Sequence, residues 1–353
     1  MRIAVVSTPF VAVPPRDYGG TELMIHELVE VLAGRGHELT LFATGDSTAA
    51  GPVHALYPEA QWPPDPLTDV NHVTWALAQI AQGGFDLVHV HSAVALGASR
   101  FMPGLPFVYT IHHEREPAFS AFYQHFPDVQ FIAISHDQRR REVRLPRCEV
   151  IHHGLDPSRY GCVGRAHDYV CFIGRYSEVK GPHTAIDAAV RAGVPIRIAG
   201  QVHDPDRDFA ARELTPRLTA DGVLELGPVG AEAKAQLLCD ARALLAPVAW
   251  NEPFGLILTE AMLSGCPPVA FRRGSVPELI EHGVTGFIAD SLEEMVALIR
   301  PGGEVDRFDR ERCRAVATER FSRERMASDH ERLYESLLED GSAPRARRSV
   351  VAV

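Results

Sequence analysis

The sequence predicts an α/β protein made of two doubly wound domains, each a parallel sheet covered by helices on both faces. Three observations predict it. The 353 residues suffice for two domains of about 150 residues each. Short, continuous apolar and β-branched runs recur through both halves, the pattern of parallel strands buried on both faces. Helical stretches separate these runs, the alternation expected of doubly wound sheets.

In the first half, strands are expected near Ile3–Ser7, Leu39–Ala43, Leu87–His91, Phe107–Ile111, Phe131–Ile134 and Val150–His152. In the second they are expected near Tyr169–Ile173, Ile196–Ala199, Val223–Leu226, Ala243–Pro247 and Pro268–Phe271. A helix starting at Thr21 carries Met24, Leu28, Val31 and Leu32 on one face, and Gly34 and Gly36 offer its stop. A second helix is expected from about Phe254 to Ser264, with Pro253 in its first turn and Gly265 and Pro267 ending it. The Pro- and Gly-rich stretch Asp156–His167 marks the division: residues 1–156, then 168–320. Residues 321–340 form a last helix, and 341–353 read as a loose tail.

Composition excludes several classes. With 46% hydrophobic and 23% charged residues, the chain is not globally disordered. A net charge of −11 argues against a nucleic-acid partner, which needs a basic footprint; an anionic ligand would need a local positive pocket. Only two of the 35 basic residues are lysines, Lys180 and Lys234, a bias that fits a GC-rich genome. Six scattered cysteines without ligand-like spacing read as reduced and cytoplasmic. There is no apolar run of membrane-spanning length, and MRIAVVSTPF reads as a first strand instead of a signal peptide. The run Arg139–Arg147 carries five arginines against one Glu. In an acidic chain it reads as a solvated helix face, so membrane contact is not expected.

Four segments could carry chemistry. In PPRDYGGT (Pro14–Thr21), Gly19 and Gly20 open a helix whose free N–H groups suit a phosphate. In GRYSEVKG (Gly174–Gly181), at the carboxyl end of a strand, Arg175 can fork two phosphate oxygens and Lys180 adds a point charge. In NEPFGLILTE, Glu252 and Glu260 repel phosphates but can accept hydrogen bonds from hydroxyls, and the N–H groups of Phe254, Gly255 and Leu256 can serve another ligand group. In YTIHHE, His112 ends a strand as a base, a hydroxyl partner or a loop residue. His89 and His91 share a strand face but lack a third zinc ligand. The run His203–Asp208 reads as a solvated loop, not a metal site. Nucleophile-elbow, HExxH and P-loop signatures are missing.

In order along residues 1–335, these segments resemble retaining glycosyltransferases of the family-4 type with the GT-B fold. The resemblance rests on YGGTE, RGHELTLFA, DLVHVHS, TIH, IAIS, VIHHGLD, FIGRYSEVKG, LGPV, NEPFGLILTEAMLSGCPPVA and GSVPELIEHGVTGF. It implies two Rossmann-like domains facing across a cleft, with a nucleotide-diphosphate sugar on the second and a hydroxyl acceptor on the first. It also implies that Arg175 and Lys180 hold the diphosphate, Glu260 the ribose and Glu252 the transferred sugar, helped by backbone at Phe254–Leu256. Gly20, beside Gly19, would reach the diphosphate when the cleft closes, and His112 would lie near the sugar. The base would meet backbone near Pro228 and Val229. No cofactor or metal is expected beyond the donor itself. His153 stands where the family usually has Asn. The last helix would cross back to the first domain. Loops such as Tyr57–Asn71 would set the acceptor, a secondary metabolite or glycan. A nucleotide-sugar epimerase and a non-catalytic nucleotide-sugar-binding module share this fold and donor site and remain the alternatives; an isomerisation assay without acceptor separates the first, and a turnover assay the second.

Overall fold

The computed structural model describes residues 1–16, 19–161 and 167–342. Tyr18, the centre of the expected division and residues 343–353 lie outside them.

Two parallel sheets form two doubly wound layers. The first contains β1 (Arg2–Val6), β2 (Glu38–Ala43), β3 (Val53–Ala55), β4 (Leu87–Val90), β5 (Phe107–Ile111), β6 (Gln130–Ala133) and β7 (Cys148–Val150), in the order β3-β2-β1-β4-β5-β6-β7. The second contains β8 (Val170–Ile173), β9 (Ile196–Ala199), β10 (Val223–Gly227), β11 (Leu244–Ala246), β12 (Pro268–Phe271) and β13 (Phe287–Ala289), in the order β10-β9-β8-β11-β12-β13. Side chains alternate across each strand, so β1 sends Ala4 and Val6 into one buried cluster and Ile3 and Val5 into another. Burial on both faces is why these strands read as unbroken apolar runs. β3 and β13, absent from the sequence reading, are three-residue edge strands, too short to leave a pattern.

The principal helices of the first half are α1 (Gly20–Gly34), α2 (Pro66–Gly83), α3 (Pro117–Tyr123) and α4 (His136–Arg141). Those of the second are α5 (Pro182–Ala192), α6 (Ala231–Asp240), α7 (Leu256–Leu263), α8 (Leu292–Ile299), α9 (Arg310–Phe321) and α10 (Arg323–Ser342). Pro253 lies outside α7, which starts at Leu256 behind Gly255 as its N-cap. The α4 arginines Arg140 and Arg141 pair with Asp137 at a largely solvated face.

The chain returns to the first sheet at Ser322. Cys313, Ala317 and Phe321 of α9 belong to a core cluster of the second half. Met326, Ala327, Leu333, Tyr334 and Leu337 of α10 instead complete the cluster built on Ile3, Val5 and α1. At the crossing, Leu155 donates to the Phe321 carbonyl and Arg323 to the Leu155 carbonyl, each at 2.9 Å. Arg323 also grips the buried carboxylate of Glu27 at 3.1 Å and Asp156 at 3.0 Å. Gly154 permits this approach, because a Cβ there would stand 2.3 Å from the Ser322 carbonyl oxygen. Gly154→Ala is therefore expected to cost about 1–3 kcal/mol as an overpacked site, read as a lowered midpoint in thermal unfolding.

Cys148, Cys171, Cys266 and Cys313 are free and buried. No helix of the described residues is long and apolar enough to cross a membrane.

Candidate active site

Strand order reverses once in each sheet, between β1 and β4 and between β8 and β11. Open α/β sheets take ligands in the crevice at the carboxyl ends of strands at such reversals. Four helices begin at carboxyl ends of strands with glycine as N-cap and no side-chain cap: α1 at Gly19, α5 at Gly181, α6 at Gly230 and α7 at Gly255. By contrast, Asp65, Ser135, Ser291 and Asp309 cap α2, α4, α8 and α9 with their side chains. A capping side chain consumes an orphan N–H group; glycine leaves it for a ligand. At Gly255 the backbone also takes φ +89°, where other residues are strained. The starts of α1 and α7 meet, since a Cβ on Gly20 would lie 3.1 Å from Leu256 Cδ1.

Charged side chains of the site pair with one another. Lys180 Nζ lies 2.6 Å from Glu252 Oε2 and 4.7 Å from the Trp250 ring centre. Trp250 Nε1 donates to the same carboxylate oxygen at 3.0 Å. Glu260, buried on α7, accepts at Oε1 from Lys234 Nζ at 2.5 Å and from Tyr160 Oη at 3.0 Å. Arg175 Nε lies 3.3 Å from Asp206 Oδ2. The run His203–Asp208 is thus not simply solvated: Asp206 neutralises an arginine of the site. Val229 packs against the core cluster beneath the site, while Pro228 is exposed.

The first domain contributes a cluster of histidines. His112 Nε2 shares a proton with His91 Nδ1 at 2.9 Å, and its ring stacks on His153, which meets Phe254 edge-on. His89 lies under His91 with ring centres 4.3 Å apart and bonds Thr110 and the α10 residue Tyr334. Desolvation holds these rings neutral. It pushes His112 down to about 3 and His330 to about 4, and His89, His91 and His153 well below the ordinary histidine value. The pair His89/His91 is therefore a buried support for His112.

Further contacts cross between the halves. Asn251 Nδ2 donates to Glu114 Oε1 at 3.1 Å. Trp62, in the loop expected to select an acceptor, packs edge-on against His203. The Glu278 carboxylate accepts from the backbone N–H groups of His136 and Asp137 and contacts His152 Nε2. These three side chains, His136, His152 and Glu278, are the one metal-like grouping among the described residues. Its carboxylate is already engaged as a latch on the start of α4.

The structure brings together Gly20 with Leu256, Lys180 with Glu252, and His112 with His153 and Phe254. It sets Arg175 against Asp206. Sequence reasoning does not reach Tyr160, and it meets Asp206 only within the run His203–Asp208. A signal existed for Lys234: it is the second of only two lysines.

Two open α/β sheets, each with a strand-order reversal, thus carry glycine-capped helix starts and paired lysines and glutamates. Residues 18–159 match the model of Glycosyltransferase Family 4, and residues 166–300 that of Glycosyl transferases group 1. This chain belongs to the family-4-type glycosyltransferases of the GT-B fold. It is 26% identical to a phosphatidyl-myo-inositol mannosyltransferase of Mycobacterium leprae, covering 97% of this chain and 98% of that protein. Its fold matches AviGT4, a glycosyltransferase involved in avilamycin A biosynthesis, with TM-score 0.73, 24% identity and coverage of 96% and 98%. It also matches Anabaena Alr3699/HepE, solved with UDP-glucose, with TM-score 0.74, 22% identity and coverage of 95% and 100%.

Proposed function

We propose that this chain is a retaining, metal-independent enzyme that moves a sugar from a nucleotide-diphosphate sugar to a hydroxyl acceptor on a natural product or glycan. The observation that carries this reading is the pairing of both site glutamates with both lysines of the chain, beside helix starts left uncapped by glycine. In these pairs the lysines and glutamates neutralise one another. The donor engages these groups: its diphosphate takes Lys180, Arg175 and the free N–H groups, its sugar hydroxyls take Glu252, and its ribose takes Glu260, which keeps Lys234.

Transfer breaks the bond from the anomeric carbon to the β-phosphate oxygen, which keeps the electron pair. The acceptor oxygen forms the new bond to that carbon, and the acceptor proton ends on the leaving diphosphate. The cations and N–H dipoles stand where negative charge develops, the preorganised stabilisation that speeds such a step. It serves equally a same-face attack and two successive inversions. Neutral His112, oriented by His91, offers its second ring nitrogen to a sugar hydroxyl.

Thermal-shift titration with UDP, GDP and dTDP, followed by NMR of the product anomer, tests the reading. Stabilisation by a nucleotide, a retained anomer and full activity in EDTA are expected. No response to any nucleotide, or loss of activity in EDTA, overturns it. Glu260→Ala is expected to weaken nucleotide binding about tenfold or more, the scale of a lost charged hydrogen bond.

A further inference from the structure

Glu260 is held in an unusual way for a carboxylate meant to receive a ligand. It is buried to 3% exposure, yet both of its protein partners, Lys234 and Tyr160, address the same oxygen, Oε1. Among the described residues, no side-chain or backbone hydrogen bond reaches Oε2. The partners come from separate places. Lys234 sits in the first turn of α6, and Tyr160 ends the segment after β7 that leads to the second domain. Lysine is rare here, two among 35 basic residues. Its compact ammonium fits against one carboxylate oxygen where a guanidinium fork would claim both.

We infer that Lys234, assisted by Tyr160, is a positioning residue that turns the free oxygen of Glu260 toward the ribose and makes the donor's 2′-hydroxyl a specificity determinant. This rests on the reading of Glu260 as the ribose carboxylate. Two consequences follow from the geometry. A carboxylate carries lone pairs on both oxygens, so a cation seated on one leaves the other as an acceptor. With Oε1 fixed by two donors, the carboxylate cannot rotate to compensate when a ligand hydroxyl is missing. A deoxyribonucleotide then leaves a buried acceptor unpaired, the situation in which hydroxyl discrimination is large.

The test measures affinities of UDP and GDP, each against its 2′-deoxy counterpart, with inorganic pyrophosphate as a probe that lacks a ribose. The wild-type protein is expected to prefer the ribonucleotide by about tenfold or more, as befits a lost hydrogen bond to a charged group. Lys234→Met is expected to bring that ratio to about threefold or less while leaving pyrophosphate affinity unchanged, because the deletion acts on the ribose alone. Lys234→Arg should keep part of the preference. Tyr160→Phe, which removes one donor without a charge, should lower the ratio by a smaller factor and serves if Lys234→Met does not fold. An unchanged ratio in folded Lys234→Met, alongside a Glu260→Gln variant that has lost nucleotide affinity, overturns the role of Lys234 alone. Wild-type nucleotide affinity in Glu260→Gln overturns the ribose reading and this inference with it.

Discussion

Lowering the pH from 7.5 to 5.5 is expected to destabilise the protein, by about 1.4 kcal/mol in total for each histidine that the fold keeps neutral. His89, His91, His112, His153 and His330 form the cluster, and desolvation depresses each of them. In the unfolded chain they titrate near the ordinary value of about 6.5. A group depressed by folding contributes stability above that value. The contribution is lost as the pH falls, because the unfolded state binds protons that the fold refuses. The raised carboxyls of Glu22, Glu27 and Asp69 act with the opposite sign and return part of the loss. Even one such contribution is a sizeable share of an ordinary domain's stability, about 5–15 kcal/mol. Denaturant titrations at pH 7.5, 6.5 and 5.5 check it, and a flat profile would refute the picture of a neutral cluster. His330→Phe should make the profile shallower.

The second large effect concerns Lys180. Lys180→Ala is expected to lower kcat by about 100- to 1,000-fold, the scale of removing one preorganised charge partner from a developing anion. Two terms add. The leaving diphosphate loses a cation, and Glu252, whose side chain is 11% exposed, is left with Trp250 Nε1 as its remaining partner. A double variant, Lys180→Ala with Glu252→Gln, should therefore bind the nucleotide diphosphate better than Lys180→Ala alone. Steady-state kinetics and thermal-shift binding on both variants separate the terms. An unchanged kcat in Lys180→Ala would remove this residue from the machinery.

Much of the framework is legible in sequence because burial on both faces writes continuous apolar runs. Ile196–Ala199 and Pro268–Phe271 match their strands to the residue. Two strands of only three residues leave no such mark. Val53–Ala55 is half-exposed, and Phe287–Ala289 is three residues between turns. Pro253 misleads because proline suits a first helical turn, whereas the positive φ of Gly255 sets the actual start two residues later. In the site, motif residues could be read where loop position and chemistry coincide, as at Gly20, Lys180 and Glu252. Lys234, Tyr160 and Asp206 could not, because each acts through a partner distant in sequence: 26 residues for Lys234, 100 for Tyr160 and about 30 for Asp206. Spacing within a motif carries no information about such pairs.

The crossing at Ser322 alters how this protein can be recombined. Since α10 completes the core of the first domain, the second half is, in chain terms, an insertion between β7 and α10. Exchanging it with a relative therefore takes two joints, one in the segment near Asp156 and one at Ser322. A chimera cut only once would leave the first sheet packed against a foreign helix. A single proteolytic nick between the halves would likewise leave the two pieces held together through α10.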